Sequence, residues 1–264
     1  MNHTFKILVI LLATTLPAGC GTGNQEPELK GIKIGELAPK GPRVQPQFLR
    51  TTNIDCIIFE LPAENIKSLD GLWQILNTDS VRYTDPDGFA ANGLRVAVGE
   101  YFVLDKVKDM LKSVNAKKLF TTALLIPNGQ SEMINIARLN HKTVISYVYR
   151  QGIIKSAEAG PGIMGLQVIA RQIPGAETPA NIQVVPVILA STEGLSPELA
   201  ARVKATDIRF FSAGFNVMMK PGDFVVVAPV EYKPDDITAA SRFFSRTEPK
   251  PAVRMMILVC TSVL

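Results

Sequence analysis

Ile54-Asp55-Cys56-Ile57-Ile58-Phe59-Glu60-Leu61, closed by Pro62, is the stretch on which the fold turns. Its β-branched and aromatic residues, uninterrupted by glycine, read as a buried strand. Directly after it, Ile66, Leu69, Leu72, Trp73 and Leu76 recur at spacings of three and four, with Glu64, Lys67, Ser68 and Gln74 opposite them. That periodicity predicts one amphipathic helix over 63–77, with Trp73 as a core anchor. Thr84-Asp85-Pro86-Asp87-Gly88 has turn chemistry, and 94–98 (LRVAV) alternates as a short strand. A second helix is predicted over 101–114, its apolar stripe made of Phe102, Val103, Val107, Met110, Leu111 and Val114. Residues 53–125 thus read as β, α, β, short helix or turn, β, α, β, an order that packs helices on a sheet.

The remainder reads as strand. Segments 118–126, 132–139, 143–150, 163–173 and 181–189 are separated by Pro127-Asn128-Gly129, Asn140-His141, Gly160-Pro161-Gly162 and Pro174-Gly175, a spacing that favours antiparallel pairing. A short helix over 196–205 starts with Ser196 as cap and Pro197 in its first turn. Strands resume at 208–219, 224–228 and 253–263, with Lys220-Pro221-Gly222-Asp223 expected as a hairpin turn between the first two. The expected class is α+β and β-rich: an N-terminal βαβ(α)βαβ layer followed by a mainly antiparallel sheet.

With 264 residues, 47% of them hydrophobic and 20% charged, the chain has the makeup of one sizeable globular domain. Its net charge of +4 is too small an excess to imply a nucleic-acid partner. The N-terminus carries Lys6 followed by Ile7 to Leu12 (ILVILL), a short export signal rather than a bilayer span, which needs about 20 apolar residues. The expected organisation is a signal peptide at 1–19, Cys20 and a Gly- and Pro-rich tether over 20–46, and one domain over 47–264, divisible into 53–126 and 127–264.

The signal ends in Leu16-Pro17-Ala18-Gly19-Cys20, which resembles the lipobox of bacterial lipoproteins, with Leu16 one position further from the cysteine than that pattern places it. The resemblance implies lipidation of Cys20 and a membrane as partner. Gly21 implies sorting to the outer membrane, facing the periplasm. Together with Asp55-Cys56-Ile57-Ile58-Phe59-Glu60-Leu61-Pro62, Met219-Lys220-Pro221-Gly222-Asp223-Phe224 and Leu258-Val259-Cys260-Thr261, it makes most of the chain similar to an uncharacterised family of bacterial lipoproteins, which implies no activity and no catalytic residues. A weaker similarity, by the order of α+β units and β-rich region, is to secretin-type secretion proteins. The chain is short for a pore-forming subunit and lacks a recognisable set of membrane-crossing strands.

Each chemical motif has a structural reading beside it. His141, the one histidine after the signal, lies at an expected turn, where no triad or zinc pattern surrounds it. Asp85-Pro86-Asp87-Gly88 lacks the rest of a calcium loop and reads as a turn. Gly160-Pro161-Gly162-Ile163-Met164-Gly165 has no Lys-Ser/Thr sequel and opens no helix, so it reads as a strand connection and not as a phosphate cradle. Cys56 and Cys260, in the first and last strands, could be bonded in an exported compartment or be two buried thiols. Glu60, Asp105, Glu132 and Glu231 are scattered, and Arg242-Phe243-Phe244-Ser245-Arg246 reads as a core edge with surface cations. No catalytic, cofactor or metal-binding residue is assigned. The expected function is a non-catalytic, lipid-anchored binding or scaffolding module with an envelope protein partner. The alternatives are a carboxylate-dependent hydrolase of an envelope polymer and an accessory component of a secretion system.

Overall fold

The opening strand is longer than its apolar run: β1 is Thr51–Pro62, in a computed structural model that describes residues 50–173, 179–204 and 206–264. The export segment, Cys20, the tether and the Pro174-Gly175 turn lie outside the described residues. From β1 the chain forms a 3-10 segment, Ala63–Leu69, and α1 (Asp70–Gln74). It continues through β2 (Val81–Tyr83), α2 (Pro86–Ala91), β3 (Leu94–Gly99), α3 (Tyr101–Ser113) and β4 (Lys117–Pro127). Then come β5 (Ser131–Leu139), β6 (Thr143–Val148), β7 (Ile154–Ala159), β8 (Gly162–Gln172) and β9 (Ala180–Ala190). The last third holds α4 (Pro197–Lys204), β10 (Ile208–Arg209), β11 (Phe215–Met219), β12 (Phe224–Pro229), α5 (Ala239–Phe244), β13 (Ser245–Arg246) and β14 (Ala252–Val263). This is the α+β, β-rich class, and Phe48–Leu264 segregates as one compact unit.

Two six-stranded sheets carry the fold, ordered β3-β12-β14-β1-β4 with β13 on β14, and β2-β11-β9-β8-β5 with β10 on β9. Every strand pair in them is antiparallel. Strands from the last third of the chain, β12 and β14, stand between β3 and β1, and β2 joins the other sheet. The centre of the first sheet is buried on both faces because its strands alternate two apolar sets. Ile54, Cys56 and Ile58 of β1, Val225 and Val227 of β12, and Met256, Leu258 and Cys260 of β14 pack with Leu166, Val168, Ile182 and Val184 of the second sheet. The opposite set, with Val226 of β12 and Val253, Met255 and Ile257 of β14, packs with Leu69, Leu72, Trp73, Leu104, Val107 and Leu111 of the helical layer. Each such side chain stabilises the fold by roughly 1.5–3 kcal/mol through area removed from water.

Four sequence readings need correction. The single helix over 63–77 is instead a 3-10 segment followed by a short α-helix, because Ala63, Ile66, Leu69 and Leu72 repeat strictly every third residue and a threefold helix places them in one row. In α3 the buried residues are Leu104, Val107 and Leu111, while Phe102 faces out. The strand over 208–219 breaks at Phe211–Ala213, where Phe210 turns into the core against Tyr147 and Phe243 at 5.0 and 5.2 Å between ring centres. Lys220-Pro221-Gly222-Asp223 is no hairpin: β11 and β12 belong to different sheets. The turn docks on β14, Gly222 N–H donating to Cys260 O at 2.7 Å and Cys260 N–H to Asp223 O at 2.9 Å.

Candidate functional site

The strongest charge cluster is built from three strands. Glu60, near the end of β1, is paired through its Oε2 with Arg246 Nη1 of β13 at 3.1 Å and Arg254 Nε of β14 at 3.7 Å. Arg254 Nη1 also donates to Ile136 O of β5 at 2.9 Å, so this cluster ties the first sheet to the second. The Glu60 carboxylate is only 16% exposed and two guanidinium groups occupy its inner oxygen. Beside it, Glu60, Glu64, Lys117, Arg246 and Lys250 line a hollow of about 450 Å³ walled by Pro62, Pro249 and Pro251. Glu60 and Glu64 share this hollow, as Glu193 and Asp207 share the one bordered by Pro161 and Gly162; no spacing rule relates Glu60 and Glu64 to Arg246 or Lys250. The other carboxylates named from the sequence go elsewhere: Asp105 pairs with Lys108 at 3.0 Å, Glu231 pairs with Lys233, and Glu132 is exposed on β5.

The glycine-rich stretch is a sheet device. A Cβ on Gly162 would stand 2.1 Å from Leu189 O, and one on Gly165 would stand 2.2 Å from Ile134 O, so these glycines let β9 and β5 approach β8. Pro161 and Gly162 also border a hollow of about 530 Å³ with Arg138, Lys204 and Asp207. Asp207 is committed to the fold, its Oδ1 accepting from Ala190 N–H at 2.9 Å. Asp85 is the N-cap of α2, accepting from Gly88 N–H at 3.1 Å. Among the described residues no group of three His, Cys, Asp or Glu is placed to hold a metal. His141 is exposed in the link between β5 and β6. In the Arg242–Arg246 stretch, Phe243 and Phe244 are buried and Arg242 is exposed, as α5 closes the core.

Cys56 and Cys260 are unbonded and buried on adjacent strands. Cys56 stands opposite Leu258 and Cys260 opposite Ile54, so the two are diagonal neighbours on the face between the sheets. Burial pushes the Cys56 thiol up to about 12. Burial, with Asp223 adding to it, pushes Cys260 up to about 11. Raised values of this kind describe packing thiols, not nucleophiles.

Sequence reasoning missed Asn92. Fully buried at the end of α2, it accepts from Ala239 N–H at 3.1 Å through Oδ1 and donates through Nδ2 to Gly88 O at 2.7 Å and Ser212 Oγ at 3.2 Å. Ser212 in turn donates to Val148 O at 2.9 Å. The junction satisfies helix ends and strand ends that meet from far apart in the chain. A single asparagine after a turn-like motif carries no signal of this.

No protein-family model matches the chain, and no curated protein does. Among solved structures it is similar to the V. cholerae type IV competence pilus secretin PilQ, at 11% identity and a TM-score of 0.28. The similarity covers 82% of this chain and 61% of that one, and the superposition is too loose to assign a shared fold.

Proposed function

We propose that this protein is a lipid-anchored envelope protein, held through Cys20 on the periplasmic face of the outer membrane, whose globular body binds or scaffolds another envelope component without catalysis. The observation that carries this reading is Leu16-Pro17-Ala18-Gly19-Cys20 behind an apolar run too short to span a bilayer. An acylated cysteine with several chains, at roughly 0.8 kcal/mol per buried methylene, holds far more firmly than one acyl group.

The distribution of exposed apolar residues supports it. The described chain starts at one end of the first sheet, where Thr51 exchanges backbone hydrogen bonds with Leu264 at 3.0 and 2.8 Å. At the same sheet end, Gly99 pairs with Phe224 and Phe224 with Val259, and α3 begins two residues after Gly99. Tyr101 (71% exposed), Phe102 (76%) and Leu264 (72%) lie there, and they are the three most exposed large apolar residues among those described. Exposed apolar side chains of this size suit a body that rests near a lipid surface.

The test compares intact mass and membrane fractionation of the wild type and Cys20→Ala in a bacterium with two membranes. Acyl mass on the wild type and release of the variant into the soluble fraction are expected. Two soluble proteins, both cut near Ala18, would reject the anchor. A second reading, a hydrolase of an envelope polymer, draws on Glu60 and Glu64 at one hollow. It requires that purified protein release soluble fragments from isolated envelope polymer and that Glu64→Gln stop the release.

A further inference from the structure

A third hollow, of about 340 Å³, lies where β13 follows α5, and its charge sets it apart from the two already described. The hollow beside Glu60 holds Glu60 and Glu64, and the one bordered by Pro161 and Gly162 holds Glu193 and Asp207. Here Arg242 and Arg246 stand with no carboxylate in the lining. Glu248, two residues beyond Arg246, lines neither this hollow nor the one beside Glu60. Both cations come from backbone that is held in place. Thr238 caps α5, accepting from Ser241 N–H at 3.2 Å, and β13 pairs Ser245 and Arg246 with Val253 and Ala252 of β14. Arg242 is exposed and forms no ion pair among the described residues.

The donors around this hollow identify what it fits. Arg246 gives only Nη1 to Glu60, and its side chain is 37% exposed. Three guanidinium groups, those of Arg242, Arg246 and Arg254, stand against the single carboxylate of Glu60, so positive charge is left over. Thr143, Ser245 and Thr247 add hydroxyls to the lining. Ser245 Oγ is buried without a hydrogen-bond partner, a state that costs free energy, whereas Ser241 is committed to the fold by donating to Pro234 O at 2.6 Å. A hydroxyl with no acceptor in the fold can donate to one that a ligand supplies. Ile145 and Met164, both buried, form an apolar part of the lining. Cations and hydroxyls without an acid, next to an apolar wall, complement an oxyanion carried on an apolar group. A phosphate monoester brings a charge of about −1.5 to −2 and three acceptor oxygens, more than a carboxylate offers, and arginine binds it bidentately.

We propose that this hollow binds a phosphate monoester, its phosphoryl oxygens on Arg242 and Arg246 and its apolar group against Ile145 and Met164. Arg246 then joins the ligand to Glu60, and Arg254, on the same carboxylate, reaches Ile136 O of the second sheet. The site is independent of the anchor reading, since it uses no residue of the export segment or tether.

The experiment uses the full-length chain carrying Cys20→Ala, so that lipid does not contribute, in phosphate-free buffer. It is titrated with phenyl phosphate, inorganic phosphate and benzoate. Phenyl phosphate is expected to bind saturably at one site, and the other two to bind about tenfold more weakly or worse, one lacking the apolar group and the other the second charge. Arg242→Gln is expected to weaken phenyl phosphate about tenfold or more, the order that loss of a charge-assisted hydrogen bond gives, at an unchanged melting midpoint. Lys250→Gln, in the hollow beside Glu60, is expected to leave the affinity as it is. Absence of saturable binding of phenyl phosphate at millimolar concentration overturns the proposal, as does inorganic phosphate or benzoate binding equally tightly. An affinity that survives Arg242→Gln, or falls as far in Lys250→Gln, also overturns it. Should Arg242→Gln fail to fold, Thr247→Val takes its place, and an unchanged affinity there overturns the site.

Discussion

Asn92 shows how one residue can hold distant pieces of chain together. Its amide meets the end of α2, the start of α5 and Ser212, with no solvent available to replace a lost partner. Asn92→Ala would leave Ala239 N–H and the Gly88 carbonyl without this partner inside the protein. Removing one side of a buried hydrogen bond costs about 1–3 kcal/mol, so a loss of about 3 kcal/mol is expected, read as a lower urea midpoint at unchanged slope. Asn92→Asp keeps the acceptor for Ala239 but loses the donor, and it should fall between wild type and alanine only at acidic pH, where its carboxyl carries a proton. Asn92 could not be found in the sequence, because its partners are 4, 120 and 147 positions away. Asp85 reads from the sequence only as part of a turn, although the bond by which it caps α2 lies within the next three residues.

Among the elements, agreement followed the range of the forces involved. Strands over 118–126, 132–139, 181–189 and 253–263 correspond to β4, β5, β9 and β14, since their apolar and β-branched runs are local signals. The helical stripe of α3 shifted because periodicity defines an apolar face but not which sheet face lies under it; Leu104 is covered and Phe102 is not. The hairpin assigned to Lys220-Pro221-Gly222-Asp223 failed for the same reason. A Pro-Gly turn reverses or redirects a chain equally well, and the strands on either side choose their sheets by packing. The glycine-rich stretch gives a paired prediction at this scale. Gly165→Ala forces a methyl against the Ile134 carbonyl, while Gly160→Ala meets nothing within 4 Å. Gly165→Ala is expected to destabilise by about 1–3 kcal/mol and Gly160→Ala to be neutral, as thermal melts of the two would show.

For the whole molecule, the union of first and last strands places Cys56 and Cys260 between the two sheets, and this gives the fold an alkaline limit. Both thiols titrate higher in the folded protein than the ordinary value of 9.0, so the folded state retains protons that the unfolded chain releases. Stability is therefore complete below about pH 9 and falls as pH rises toward 11, by up to about 1.4 kcal/mol per pH unit for each thiol. Urea unfolding between pH 8 and pH 10.5 should show that slope in the wild type. The Cys56→Ala/Cys260→Ala double variant should be weaker at pH 8 and markedly flatter. The sequence by itself determined the class and the long strands β1, β4, β5, β9 and β14, because strand periodicity and turn chemistry act over a few residues. The proposed export signal ending at Cys20 likewise rests on linear order alone. Only the tertiary structure decided that β12 and β14 lie between β3 and β1, that Glu60 meets Arg246 and Arg254, and that β4 is an outer strand of the first sheet. Those outcomes depend on which apolar faces bury one another across more than a hundred residues, and burial is non-directional, so no local pattern encodes the choice.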